Sequence, residues 1–264
     1  VLEGRDLTVI RRGRRIVDDV TLDVPAATVT ALIGPNGAGK STLLHLLSGA
    51  LAPQAGTVTF AGRPLAQWSR AALARHRAVL PQASELSFPF RALDVVRMGR
   101  AVHAGRSGRD HDAAVAVAAL EAVDGLALAD RVYPTLSGGE RQRVQLARVL
   151  AQIWTDPARP EPEGAGRALL LDEPTNNLDL THQHQLMRFA RRLADEGVAV
   201  LAVLHDPNLA ALYADRMVVL ADGCVAAEGP VEAVMTETVL TRTFGLPVTI
   251  QRHPGRGTPQ LVPS

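Results

Sequence analysis

Hydrophobic positions along the chain change their spacing from segment to segment, and each spacing predicts a different element. Through residues 5–33 apolar side chains fall on alternate positions, Leu7 and Val9 and then Val20, Leu22 and Val24, as in antiparallel strands half buried against a core. Residues 168–171 and 198–204 are continuous apolar runs, and 29–33 is a short apolar run broken only by Thr30, all of which suit strands covered on both faces. Over residues 41–48 leucines recur at helical spacing until Gly49 stops them. A further strand pair is expected next, with Thr57-Val58-Thr59-Phe60 as strand and Ala61-Gly62 as turn, before Val79-Leu80 leads into Pro81-Gln82. From there to about residue 148 the pattern is Ala-rich and helical, as in residues 112–123, and residues 182–196 are helical again. Asp222-Gly223 between the apolar runs 217–220 and 225–227 predicts a hairpin. Two short helices follow, and the tail from His253 is expected to fray.

Strands alternating with helices imply an α/β fold with a parallel sheet. The expected organisation is one domain of 264 residues. Residues 1–82 and 168–252 form a mixed-sheet core with an antiparallel β subdomain, and about 83–150 form an inserted helical subdomain. A Pro/Gly-rich insertion is expected at 154–167 and a flexible tail at 253–264. Composition is globular, 47% hydrophobic and 21% charged. The net charge of +1 supplies no field that draws the whole protein to a polyanion, so no nucleic-acid partner is expected. The single Cys224 excludes an internal disulfide, and the first residues lack the apolar core of a secretory signal, as in a cytosolic chain. The apolar run 198–204 is far shorter than the ~20 residues that span a bilayer.

The chemistry begins with a lysine. Lys40 is the one lysine among 28 basic residues, so the chain uses arginine wherever a cation suffices. A compact ammonium fits along a phosphate chain inside a tight loop, where a planar guanidinium does not. Its setting is Gly34-Pro35-Asn36-Gly37-Ala38-Gly39-Lys40-Ser41, followed by Thr42. This is the phosphate-binding loop G-x-x-x-x-G-K-S, whose amides wrap phosphates and whose Ser41 hydroxyl reaches Mg²⁺. The strand run 168–171 ends in Asp172-Glu173, where a parallel sheet opens its ligand crevice. Asp172 is the expected Mg²⁺ partner of Ser41, and Glu173 the general base toward water. A third segment, Leu136-Ser137-Gly138-Gly139-Glu140-Arg141-Gln142, offers bare amides and a positive helix end to an anion. Taken alone it reads first as an ordinary N-cap, with Glu140 three residues after Ser137.

Together with Gln82 after a strand, Asn177-Leu178-Asp179 and His205 after residues 198–204, these segments resemble the ATP-binding subunits of ABC transporters over nearly the whole chain. The resemblance implies a P-loop NTPase fold of the ABC type that binds ATP and Mg²⁺. Two subunits pack head to tail as a homodimer. Ser137, Gly138, Gly139 and Glu140 would then cradle the γ-phosphate held by the second subunit's loop. His205 would contact that phosphate, Gln82 would sense Mg²⁺, and Asp179 would lie on the dimer seam. Such subunits usually stack adenine on an aromatic residue in the first hairpin. Here residues 9–15 contain none, and Arg12 is the stand-in, since guanidinium groups stack on aromatic planes. A solvated basic hairpin is the alternative.

The pattern Leu80-Pro81-Gln82, Phe88-Pro89-Phe90, Asp94-Val95-Val96, Met98-Gly99-Arg100 and His103 is similar to importers of iron-siderophores, hemin and cobalamin. The Pro-rich excursion over 152–167 resembles the hemin branch. That implies a subunit on the cytoplasmic face of the bacterial inner membrane, bound to a permease dimer through a groove over residues 84–103. A periplasmic binding protein feeds such a permease. No residue here is expected to touch hemin, and His103, His182 and His184 read as surface residues. The alternatives are export and a non-transport ABC ATPase acting on DNA or ribosomes. The second class carries coiled coils or paired nucleotide domains, which this chain lacks. A kinase on the same loop leaves residues 136–142 unexplained.

Overall fold

The computed structural model describes residues 1–82, 86, 88–154, 166–176 and 178–264. The expected insertion therefore lies mostly outside the described residues, as do Asn177 and several positions of the expected permease groove. The chain opens with β1 (Leu2–Arg11) and β2 (Arg14–Val24), joined by Arg12-Gly13, both at positive φ. This is the two-residue turn whose twist matches a hairpin. Next come β3 (Thr28–Ile33), α1 (Lys40–Leu47), β4 (Ala55–Phe60), β5 (Arg63–Pro64), α2 (Arg70–His76) and β6 (Arg77–Leu80). The strands β2-β1-β4-β5 form an antiparallel sheet, in agreement with the period-2 pattern.

The helical stretch holds α3 (Ala92–Met98), α4 (Arg109–Glu121) and α5 (Gly138–Gln152). The chain then returns to the sheet with β7 (Arg167–Asp172), α6 (Leu180–Asp195), β8 (Val198–Val203), α7 (Pro207–Tyr213), β9 (Arg216–Ala221) and β10 (Cys224–Pro230). It closes with α8 (Val231–Val234), α9 (Glu237–Phe244), β11 (Val248–Arg252) and β12 (Pro259–Pro263).

The six-stranded sheet runs β10-β9-β3-β8-β7-β6 and is parallel except where β10 returns beside β9. Its strands are apolar on both faces because the sheet separates two cores. Val29, Ala31 and Ile33 of β3, with Leu169 and Leu171 of β7 and Val198, Val200 and Ala202 of β8, face the helices. Leu32, Leu170, Leu201 and Val203 face α1 and the antiparallel sheet. The register pairs Leu32 with Val203, Ala202 with Leu171, and Leu171 with Leu80. The carboxyl ends of β3, β8, β7 and β6 therefore reach one edge together, and the residues that follow them meet there.

Two sequence expectations are corrected. The tail from His253 is not frayed: β12 pairs with β11 through five residues in antiparallel register. His103 is not a surface residue. It is buried, with Nε2 2.8 Å from the Gln152 carbonyl at the end of α5. His182 and His184 are half buried and engaged, His182 with Asp179 and His184 with the Tyr213 hydroxyl. Nearby, a Cβ on Gly99 would stand 2.1 Å from the Arg148 backbone oxygen, so only glycine lets these segments pack at that distance.

Candidate active site

The phosphate loop joins β3 to α1 and is held from both sides. Gly39 has φ +103, and a Cβ there would lie 2.4 Å from the Ile16 carbonyl oxygen of the first hairpin. At Gly34 a Cβ would lie 2.0 Å from the Leu220 carbonyl oxygen of β9. The Gly223 amide donates to Ala38 O at 3.1 Å, and Ala38 donates to Pro35 O at 3.3 Å. Asn36 and Gly37 stand exposed at the tip, and Thr42 is half buried in the first turn of α1. Lys40 is buried, and its Nζ folds across the loop to donate to Gly34 O at 2.8 Å and Pro35 O at 2.9 Å. Burial draws its ammonium below the ordinary lysine range, against the pull of Glu173 and Asp172.

At the end of β7, Ser41 Oγ donates to Asp172 Oδ1 at 3.0 Å, joining the loop to the strand. Burial raises the Asp172 carboxyl, and the Ser41 hydrogen bond opposes it. The hydroxyl and carboxylate oxygens of this pair are the hard donors that Mg²⁺ takes, usually one or two per site alongside phosphate oxygens and water. The donor set thus fits the ion.

Glu173 follows at φ +48, a left-handed conformation that costs a non-glycine residue about 1–3 kcal/mol and recurs at functional sites. Three side chains hold its carboxylate. Gln82 Nε2 donates to Oε2 at 2.5 Å, Asn176 Nδ2 donates to the same oxygen at 2.7 Å, and His205 Nε2 lies 2.8 Å from Oε1. The ends of β6, β7 and β8 thus converge on one carboxylate beside the loop lysine.

Asn176 is a member of this cluster that sequence reasoning missed. Its only signal is its place one turn after Glu173. Gln142, the last residue of the 136–142 segment, also takes part in the site. Its Nε2 donates to Pro174 O at 3.0 Å, so the helix carrying residues 137–140 is tied to the turn carrying Glu173.

Other expected residues stand apart from the cluster. Ser137 caps α5 in a full capping box: its Oγ accepts from the Glu140 amide at 3.3 Å, and Glu140 Oε2 accepts from Ser137 N at 2.7 Å. The Ser137 amide bond holds the Glu140 carboxyl below the usual carboxylate range. The N-cap reading is thus realised in full, while Ser137 and Gly138 remain exposed with open space beside Gly138. Asp179 caps α6, accepting from His182 N at 2.9 Å, and that bond lowers its pKa. Arg12 is exposed at the tip of the first hairpin.

Residues 17–176, from β2 past the Glu173 turn, match the family described as ABC transporter. The chain belongs to the ABC transporter family. This ABC chain is 47% identical over 263 residues to the hemin import ATP-binding protein HmuV of Gloeobacter violaceus, covering 100% of this chain and 94% of that protein. It is 49% identical over 267 residues to the protein of the same name from Nocardia farcinica, covering 99% and 88%. Among solved structures, an inward-facing metal-chelate type ABC transporter superposes with a TM-score of 0.82 at 28% identity, covering 100% of this chain and 96% of that one. A bacterial ABC transporter cassette solved as a dimer gives 0.73 at 25% identity, covering 88% and 99%. Among the described residues of this ABC subunit no helix is long and apolar enough to cross a membrane.

Proposed function

We propose that this ABC subunit hydrolyses ATP to drive a bacterial hemin importer. It would work as a homodimer on the cytoplasmic face of the inner membrane, beneath a permease dimer fed by a periplasmic binding protein. The observation that carries the hydrolytic part is the convergence of Gln82, Asn176 and His205 on Glu173 beside Lys40 and the Ser41–Asp172 pair.

When ATP enters, Lys40 Nζ exchanges the Gly34 and Pro35 carbonyls for phosphate oxygens, and the amides of the loop, exposed at Asn36 and Gly37, wrap the chain. Ser41 and Asp172 would hold Mg²⁺, with Gln82 alongside, and the ion would neutralise charge that develops on the phosphates. Glu173 accepts a proton from water as the water oxygen bonds to the γ-phosphorus. The bond to the bridging oxygen breaks, and ADP leaves with that electron pair. Gln82 and Asn176 fix Oε2 of Glu173, which leaves Oε1, the oxygen facing His205, to turn toward water. His205 then reaches the γ-phosphate and stabilises its charge. A second copy would complete each site with Ser137, Gly138, Gly139 and the N-terminus of α5, whose bare amides suit an anion. Glu140 holds Ser137 in place for that contact, and Asp179 would sit on the seam. Arg12 would stack on the base.

Hemin is supported by identities of 46–49% to HmuV proteins from several bacteria, over nearly their full lengths. Iron-siderophore or cobalamin import is the second reading, favoured by the likeness to a metal-chelate type transporter. The test is ATP hydrolysis by the subunit with its permease in liposomes, with binding protein loaded in turn with hemin, ferric siderophore or cobalamin. Stimulation by the hemin-loaded protein alone is expected. Stimulation only by another loaded protein overturns the hemin assignment.

A further inference from the structure

His205 lies in the link between β8 and α7, and its position is set from both directions. Upstream, the Leu204 amide donates to Leu32 O at 3.1 Å, fixing the link to the sheet. Downstream, Asp206 caps α7 by accepting from Asn208 N at 2.8 Å. A helix of seven residues has too few internal bonds to hold its own place. Where α7 sits depends on what grips it.

The C-terminal hairpin grips both of its ends. At the start, the Asn208 side chain forms a two-bond ring with the Leu261 backbone. Its Oδ1 accepts from Leu261 N at 2.7 Å, and its Nδ2 donates to Leu261 O at 3.0 Å. These backbone groups are free for it because Leu261 stands opposite Ile250, whose own amide turns to Glu237 Oε1 at 3.1 Å. At the far end, Arg256 Nη1 donates to Leu212 O at 3.2 Å, and its guanidinium lies 5.4 Å over the Tyr213 ring. The Tyr213 hydroxyl in turn meets His184 Nδ1 of α6 at 2.7 Å. The segment from His253, expected to fray, is thus a brace on the helix that follows the histidine.

We propose that Asn208, held by Leu261 of β12, is a positioning residue for ATP hydrolysis, and that the β11–β12 hairpin keeps His205 Nε2 at Glu173 Oε1. The inference rests on the role given above to His205. It makes hydrolysis depend on a hairpin outside the nucleotide loops, and any contact that lifts the hairpin slows turnover while ATP binding persists.

A double-mutant cycle tests it. Asn208→Ala removes the ring from the helix side. Leu261→Pro removes one donor from the hairpin side without touching the β11 ladder, and β12 already carries proline at both ends. Each variant is assayed for kcat, KM for ATP and Tm, alone and combined with His205→Ala. Each single variant is expected to lower kcat roughly three- to thirtyfold, within the ~100-fold that a 1 Å misplacement costs, with KM changed less than about twofold. Asn208→Ala on the His205→Ala background is expected to add no further loss, the sign of coupling through one residue. Multiplying losses would overturn the proposal, as would wild-type kcat in the Asn208 and Leu261 variants with only Tm lowered. Wild-type kcat in His205→Ala is a separate result that removes the histidine's role, and the brace with it. If Asn208→Ala does not fold, Leu261→Pro runs the same cycle.

Discussion

Replacing Glu173 by glutamine removes the base while keeping nearly every contact around it. The amide oxygen takes the place of Oε2 and accepts from Gln82 and Asn176, now 2.5 and 2.7 Å from the carboxylate. The amide nitrogen then faces His205 Nε2, which accepts when the imidazole proton sits on Nδ1. Three charge-assisted hydrogen bonds become neutral, at about 1 kcal/mol each. The repulsion between Glu173 and its neighbour Asp172, one of the influences raising the Asp172 pKa, disappears and offsets part of that. Stability should therefore change by no more than about 3 kcal/mol. Loss of general-base catalysis, in contrast, lowers kcat by about 10²–10⁴, or roughly 3–5 kcal/mol of barrier. The assay is single-turnover phosphate release at saturating MgATP, with ATP affinity and dimer formation measured on the same preparation. The expected variant binds ATP as well as wild type, accumulates as a dimer and barely hydrolyses. Hydrolysis within about threefold of wild type would refute the assignment of Glu173 as base.

Other consequences are equally open to measurement. Gly39→Ala combines a φ of +103 with a Cβ 2.4 Å from the Ile16 carbonyl. It is expected to lose at least tenfold in ATP affinity and about 1–3 kcal/mol of stability, and calorimetric titration with unchanged affinity would contradict the loop geometry. Asp112 takes hydrogen bonds from Ser107 Oγ at 2.7 Å and from the buried Arg100 Nε at 2.8 Å. Burial alone pushes this carboxyl up, yet the two bonds and the Arg100 charge bring it below its ordinary value. A depressed folded-state pKa contributes stability that is complete above the unfolded value near 4 and is lost as pH falls through the folded value. Asp112→Asn should thus lower Tm at pH 7, by about 1–3 kcal/mol in stability, and match wild type in strong acid. A Tm difference independent of pH would contradict the pairing.

Much of this architecture is legible in the sequence because its signals are local. Alternating positions in β1 and β2, apolar runs in β3, β7 and β8, and the glycine loop before α1 each state their element within a few residues. The order of the loop, the acidic strand end and His205 along the chain already points to three sheet ends in one site. What escapes is set by tertiary contact. Asn176 belongs to the site only because the turn after Glu173 folds back on it. His103 is buried because Gly99 lets its segment close on α5, and a lone histidine carries no periodicity to announce that. The strand β12 hides behind Pro259 and Pro263, which read as breakers. An edge strand bonded on one side tolerates proline at its ends, and its other side is taken by Asn208.

The claim on which the rest depends is that two copies each supply half of every ATP site. Lys40→Ala and Ser137→Arg subunits, each inactive alone, are mixed at equal concentration after dimer exchange, and ATP hydrolysis is followed. In a mixed dimer both defects fall on one site, and the other keeps an intact loop and an intact α5 terminus. Half of the dimers are mixed at random assortment, so activity should return to roughly one quarter of wild type if sites act independently, or less if they cooperate. No recovery despite verified subunit exchange would contradict the shared site and confine each reaction to a single chain.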